Sequence, residues 1–253
     1  MAVKISNLKV KSSPLWLKKI LHLHGINSIN NVVDLTNYIM LLYGIPCHAF
    51  DSRVTTDNLI WEEAGERYKT FTTFDGTKIN LEKDTFVVGN SKKALSLAGI
   101  IGGKDSGITG KTKETIVEMA IYDRTKVRSD SRKFKITTEA STRLDKDLDP
   151  ELIPQAFSHL IKLIIEYAGG NLTSATYDCY LEKPKKTKII FDPKKASQIA
   201  GIKIKPAFAI ETLKNLGARL EPIENGLYSV TPPSIRKDLI LTEDLVEEVI
   251  RFH

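Results

Sequence analysis

The sequence predicts an α+β fold: a large domain built on a mixed sheet with flanking helices, then a small helical domain carrying a β-hairpin. Three observations lead there. Apolar residues at helical spacing open the chain, in "SSPLWLKKILHLHG" and in the run after "NSINN". Short β-rich runs divided by turn signals come next. Beyond the charged, proline-bearing stretch "EKPKKTK" (182–188), the strand-and-helix pattern restarts on a smaller scale.

The elements follow from local chemistry. Ser13 is the expected cap of the first helix, with Pro14 in its first turn and Gly25 at its end. In the second helix Val33, Leu35–Tyr38 and Leu41–Leu42 fill an apolar face. Gly44 and Pro46 stop it and release His48 into a loop. The runs "NLIWEEA", "RYKTF", "TKINL", "TFVVGN", "ALSLAGI" and "TIVEMAIYD" read as strands, and residues 124–134 as a basic helix. A long helix occupies "LDPELIPQAFSHLIKLIIEYAGG", with Asp149 as cap, Pro150 first and Gly169–Gly170 as terminator. After the linker come a strand "IIF", a helix opened by Asp192–Pro193, the helix "AFAIETLKNLG", a hairpin at "ENG" and a last helix from about Thr242. The expected domains are residues 1–182 and 186–253.

Composition narrows the class. With 42% hydrophobic and 27% charged residues the 253-residue chain reads as globular rather than disordered. A net charge of +6 suits a polyanion such as RNA and equally a lysine-rich solvated surface. Two distant cysteines and no CxxC argue against a disulfide framework or a thiolate zinc site, and point to a reducing compartment. The first residues do not read as a secretory signal and the longest apolar run is too short to span a bilayer, so a cytoplasmic location is expected.

Several stretches carry candidate chemistry, each with a plainer account beside it. "ALSLAGIIGG" is a strand running into a glycine-rich bend that is either a tight turn or the wall of a ligand site. It lacks the lysine and serine of a phosphate loop. Glu118 interrupts the apolar run "TIVEMAIY". Alternation puts it on one face with Ile116 and Ala120, opposite Val117, Met119 and Ile121. A carboxylate on a half-buried face is costly unless paired or binding something, whereas on an exposed face it needs no explanation. Thr138 and Ala140, in "ITTEASTRLDKDLDP", line a small pocket or serve ordinary loop and cap chemistry. His48 has no partner visible in sequence, and Cys47 reads as a small apolar filler. Asp244, Glu247 and Glu248 share one helix face, with Asp238 just upstream. Four carboxylates there suit hydrated Mg²⁺, and they equally suit the positive end of the helix dipole.

Taken together, these stretches resemble the β subunit of bacterial phenylalanyl-tRNA synthetase. "SPLWLKKILHLHGINSINNVVDLTNYIMLLYGIPCHAFD" is similar to the start of its B3/B4 domain. "LSLAGIIGG", "TTEAS" and "DPELIPQA" match later signatures in order, and "PPSIRKDLILTEDLVEEVIRF" is similar to the end of its B5 domain. The family's N-terminal region, OB-type tRNA-binding domain and C-terminal regions have no counterpart here, as expected of a piece of a longer protein or of a reduced one.

The resemblance implies an editing domain that hydrolyses tyrosine misesterified to tRNA(Phe), followed by a B5 domain. An apolar pocket rejects an added hydroxyl only weakly, while a second site that hydrogen-bonds it can discriminate by roughly 10⁴ or more. By resemblance the catalytic set is His48, Glu118, Thr138 and Ala140. Glu118 receives the phenol and His48 lies near the terminal ribose and ester. Asn27, Ala98, Gly99 and Gly102 hold the substrate. Asp238, Asp244, Glu247 and Glu248 match magnesium ligands shared with the α subunit, and ATP is used only by the complete enzyme. The implied partners are tRNA(Phe) and the α subunit in a heterotetramer, with no membrane and no DNA. One departure stands out: Asn27 takes the place of an arginine in the family's "GIRSINN", so weaker handling of the tRNA 3′ end is expected. "STRLDKDLDP" likewise replaces the more aromatic "SYRFERGVDP". The alternative is an editing-impaired module that scaffolds the α subunit and tRNA.

Overall fold

The computed structural model describes residues 1–55, 58–180, 183 and 187–253. The chain divides into two compact units, Met1–Cys179 and Tyr180–His253. Most of the expected linker 182–188 lies outside the described residues. Among the described residues no helix is long and apolar enough to cross a membrane.

The first unit is α+β. In chain order it contains β1 (Ala2–Ser6), α1 (Leu15–Leu23), α2 (Asn31–Tyr43), β2 (Cys47–Asp51), β3 (Ile60–Glu63), β4 (Thr70–Thr72), β5 (Lys78–Asn80), β6 (Phe86–Gly89), β7 (Ala94–Leu97), β8 (Ile101–Gly102), β9 (Glu114–Met119), α3 (Arg124–Phe134), α4 (Glu139–Leu144), α5 (Ile153–Ala168) and β10 (Asn171–Leu172). The strands expected in one mixed sheet are divided among three sheets, ordered β10-β1-β9-β2, β3-β6-β7-β8 and β4-β5. Every pair in them is antiparallel.

Alternation explains how the layers stack. On the first sheet Val3, Ile5, Ala49, Val117 and Met119 point to one face and join Leu17, Leu35, Phe157 and Leu160 of the helices in one core. Phe50 points to the other face and packs against Val88 and Leu95 of the second sheet and Ala98 just beyond it, with Trp61 and Tyr122 at its side. Each fully buried Val, Leu, Ile, Met or Phe side chain among them contributes roughly 1.5–3 kcal/mol of transfer free energy. One sheet therefore has helices on one face and a second sheet on the other.

Four local expectations are corrected. Ser13 does not cap α1, because Pro14 takes the N-cap position; the Ser13 hydroxyl instead donates to Asp34 Oδ2 at 2.5 Å. His48 lies on strand β2 and not in a loop, because β9 supplies the pairing that a glycine and proline upstream could not reveal. The hydroxyl-rich stretch at 136–150 contains the short helix α4, which Thr138 caps by accepting from Ser141 N. Pro150 opens a separate 3-10 turn, Pro150–Leu152, with Asp149 accepting from Glu151 N. Ile153 then begins α5.

Asp34, completely buried in the first turn of α2, holds the entry to that helix. Its carboxylate accepts from the hydroxyls of Ser13 and Ser28 and from Ile29 N, fixing the loop that carries Asn27. Removing it orphans those donors. Asp34→Ala is expected to cost roughly 3 kcal/mol, read as a lower urea midpoint at unchanged slope.

The second unit comprises β11 (Ile189–Phe191), α6 (Lys195–Ala200), α7 (Pro206–Asn215), β12 (Arg219–Pro222), β13 (Tyr228–Thr231) and α8 (Thr242–Arg251). Its strands form one antiparallel sheet, β11-β13-β12. Its core joins Phe191 and Val230 of the sheet to Leu213 of α7 and Leu245, Val246 and Val249 of α8.

Candidate active site

The register of β2 on β9 sets His48 directly opposite Glu118. Both side chains face the second sheet, and with it they line a small cleft. Its apolar walls come from Pro46, Leu97, Ile100, Ile101, Ala140 and Leu144.

Glu118 is 5% exposed, so the sheet face that alternation assigned to it is covered and the account of a solvent-facing glutamate falls. Two donors offset the burial. Trp61 Nε1 donates to Glu118 Oε1 at 3.2 Å, and the Tyr122 hydroxyl donates to the same oxygen. Burial pushes the carboxyl upward, while these hydrogen bonds and the Met1 amino group pull against it. Burial and the adjacent Glu118 push the Tyr122 phenol well above its ordinary range, which keeps it a donor. Glu118 Oε2 makes no hydrogen bond among the described residues.

His48 keeps some surface, but its Nε2 is enclosed and lacks a hydrogen-bond partner. Its ring packs on Phe50 at 4.4 Å between centroids. Desolvation pushes its pKa down from 6.5 to about 4, so at neutral pH the imidazole is uncharged. An unfolded histidine takes up a proton first as pH falls. The stability tied to the neutral ring is therefore complete above pH 6.5 and is lost between 6.5 and about 4. Compared with His48→Leu, the parent chain is expected to lose roughly 2 kcal/mol more unfolding free energy over that window, measured by urea titration at several pH values.

Gly102 is the complement of this ring. A Cβ built there would lie 2.6 Å from His48 Cε1 and 3.2 Å from Nε2. At Gly99, with φ of 70°, a Cβ would lie 2.8 Å from Leu144 Cδ1 and 2.9 Å from Tyr122 Cδ2. Both glycines are thus wall positions that let side chains from other elements close on the backbone.

The remaining expected residues divide. Ala140 lines the cleft, and a methyl group moves no proton. Thr138 is not part of the lining: its hydroxyl donates to Ile100 O at 2.7 Å and fastens α4 to the glycine bend. Ala98 lines a second pocket, shared with Phe86 and Tyr122. Asn27 sits on an exposed loop and does not line the cleft. Trp61 and Tyr122 were missed by sequence reasoning, since no local pattern ties them to Glu118. Cys47 is no nucleophile, because burial holds its thiol far above the thiolate range and its Sγ donates to Thr36 O.

The expected magnesium ligands are arranged otherwise. Arg236 forks onto Asp238, with Nη2 to Oδ2 at 2.6 Å, and also reaches Glu248 Oε1 at 2.8 Å. Arg251 Nη1 adds a bond of 3.0 Å to that same oxygen. Both carboxyls are held below their ordinary values, chiefly by hydrogen bonding to Arg236. Asp244 Oδ2 accepts from Ile240 N and Leu241 N and caps α8, while Glu247 is exposed. Among the described residues no group of three or more His, Cys, Asp or Glu is gathered to hold a metal. A guanidinium already neutralises two of the four carboxylates, so the donor set as folded does not fit a magnesium site.

Comparisons with known proteins cover both units. The B3/4 domain family matches residues 1–169, and the tRNA synthetase B5 domain family matches residues 189–253. The chain is similar to the phenylalanine--tRNA ligase beta subunit of Clostridium tetani, at 34% identity over 100% of this chain and 32% of the relative. It is similar to that of Fusobacterium nucleatum at 35% over 98% of this chain and 31% of the relative. It thus spans about a third of the length of these curated relatives. Among solved structures, an N-terminal fragment of the phenylalanyl-tRNA synthetase beta subunit from Pyrococcus horikoshii aligns with 98% of this chain and 69% of its own. That alignment has 15% identity and a TM-score of 0.45.

Proposed function

The chain belongs to the B3/4 domain family as it occurs, joined to a B5 domain, in phenylalanine--tRNA ligase beta subunits, and from that premise we propose that its first unit hydrolyses tyrosine wrongly esterified to tRNA(Phe). One observation carries the reading. A buried carboxylate with an unbonded oxygen lines a cleft with aliphatic walls, an arrangement that suits an aromatic side chain ending in a hydroxyl. Such a hydroxyl would donate to Glu118 Oε2 while its ring lies against Leu97, Ile101 and Leu144. Phenylalanine would fill the same walls and leave the carboxylate without its donor, and that difference is what discriminates.

The reaction is attack of water on the ester carbonyl, breaking the bond to the terminal ribose oxygen and releasing tyrosine and a free ribose hydroxyl. Cys47, the thiol in the lining, is kept protonated by burial, and water is the attacking group in this reading. A histidine titrating near 4 is a poor proton store at pH 7. His48, an uncharged ring in the wall of the cleft, instead positions the ester end or the attacking water.

Aminoacylation with ATP, the α subunit as partner and tRNA binding belong in this reading to the assembled enzyme. A second reading, an editing-impaired module that scaffolds the α subunit and tRNA, is favoured by Asn27, a neutral amide on an exposed loop outside the cleft. A deacylation time course with Tyr-tRNA(Phe), run on the αβ enzyme carrying this β sequence, separates the two. The editing reading expects hydrolysis well above the spontaneous rate, and a rate equal to it would leave only the scaffold.

A further inference from the structure

Two aromatic side chains from different elements converge on a single oxygen of Glu118. Trp61 reaches it from β3 of the second sheet, and Tyr122 from the turn that follows β9. Neither is free to drift. Trp61 and Tyr122 pack beside the Phe50 core, and the Tyr122 ring meets Phe86 at 6.0 Å between centroids, nearly edge-on. Gly99, where a Cβ would lie 2.9 Å from Tyr122 Cδ2, leaves room for that ring.

A carboxylate has two oxygens, each able to accept more than one bond. Here both protein donors are spent on Oε1, and Oε2 is left without one among the described residues. A buried glutamate without these donors would be free to rotate or to take up a proton, and in either case it would offer an incoming hydroxyl no defined acceptor.

We propose that Trp61 and Tyr122 are positioning residues for hydroxyl recognition, fixing Glu118 through Oε1 so that Oε2 stands as the acceptor for the phenol of the substrate. The inference rests on the editing reading above and adds to it the residues that set the specificity of the site. It also assigns the Tyr122 hydroxyl a functional partner, where a phenylalanine would serve the packing alone. The titratable groups facing Glu118 are Cys47 and His48 on β2, Tyr122 itself and the amino group of Met1 beside β1.

The test uses the assembled enzyme carrying Tyr122→Phe, with Trp61→Phe as a second variant because it loses a different donor. Hydrolysis of tyrosyl and phenylalanyl esters of tRNA(Phe) is followed from pH 5 to pH 8. Tyr122→Phe is expected to raise KM for the tyrosyl ester about tenfold with little change in kcat or in the phenylalanyl reaction. It is also expected to move the acid limb of the tyrosyl profile to higher pH, and Glu118→Gln should abolish that limb. Three outcomes overturn the proposal: unchanged KM and profile in both variants, equal losses for both esters, or a gain in tyrosine preference, which would make Tyr122 a competitor of the substrate. If Glu118→Gln itself leaves tyrosine preference intact, the editing reading fails as well. If Glu118→Gln abolishes the preference and Tyr122→Phe does not move it, only the positioning role fails.

Discussion

Glu118→Gln is expected to lower kcat/KM for hydrolysis of the tyrosyl ester about 100-fold, with the phenylalanyl ester affected far less. The glutamine amide preserves shape and keeps one oxygen for Trp61 and Tyr122, so the fold should survive. What changes is the second oxygen, where an N–H donor replaces the acceptor Oε2. A hydrogen bond to a charged group contributes roughly 1.5–3 kcal/mol, or about 10- to 150-fold. Glutamine is a cleaner test than alanine, which would leave the indole N–H and the phenol buried without an acceptor. Steady-state hydrolysis of the two esters measures the ratio. An unchanged ratio would remove Glu118 from recognition and with it the main support for editing.

Gly102→Ala has the second large expected effect, for a steric reason. The new methyl would meet the His48 ring at 2.6 Å, and that ring is backed by Phe50. The imidazole must turn away, which moves it out of the wall it forms in the cleft. A loss of at least tenfold in kcat for the tyrosyl ester is expected, because small misplacements of a positioning group are costly. The accompanying loss of stability should be about 1–2 kcal/mol. Turnover together with thermal melting separates the two, and parental kcat in a well-folded Gly102→Ala enzyme would show that His48 does not position the ester.

Much of the first unit's local structure is legible in the sequence. The basic helix at 124–134 matches α3 in both its ends, with Asp123 capping it. Gly44 ends α2 as its position suggests. Residues whose role depends on distant pairing were read less well. The strand "CHAFD" looks like loop punctuation because its neighbours in sequence are a glycine and a proline, and only β9 makes it a strand. The helix α4 is six residues long, too short for a periodic signal to show. Thr138 has the size and polarity of a pocket residue, yet its hydroxyl is spent on Ile100 O. The acidic run before and within α8 suits a cation by spacing alone, but its neighbour Arg236 claims two of the carboxylates.

The sequence by itself determined where the chain turns, where most helices stop, and which residues of β9 share a face with Glu118. Those properties depend on backbone preferences and on a period of two, both local. Tertiary structure alone decided that this face is buried. The second sheet folds over it and brings Trp61, 57 residues upstream, and Gly102 against Glu118 and His48. The cost of a buried carboxylate, and so its use, is set by what covers it and what donates to it. Those groups come from parts of the chain that no window around residue 118 contains.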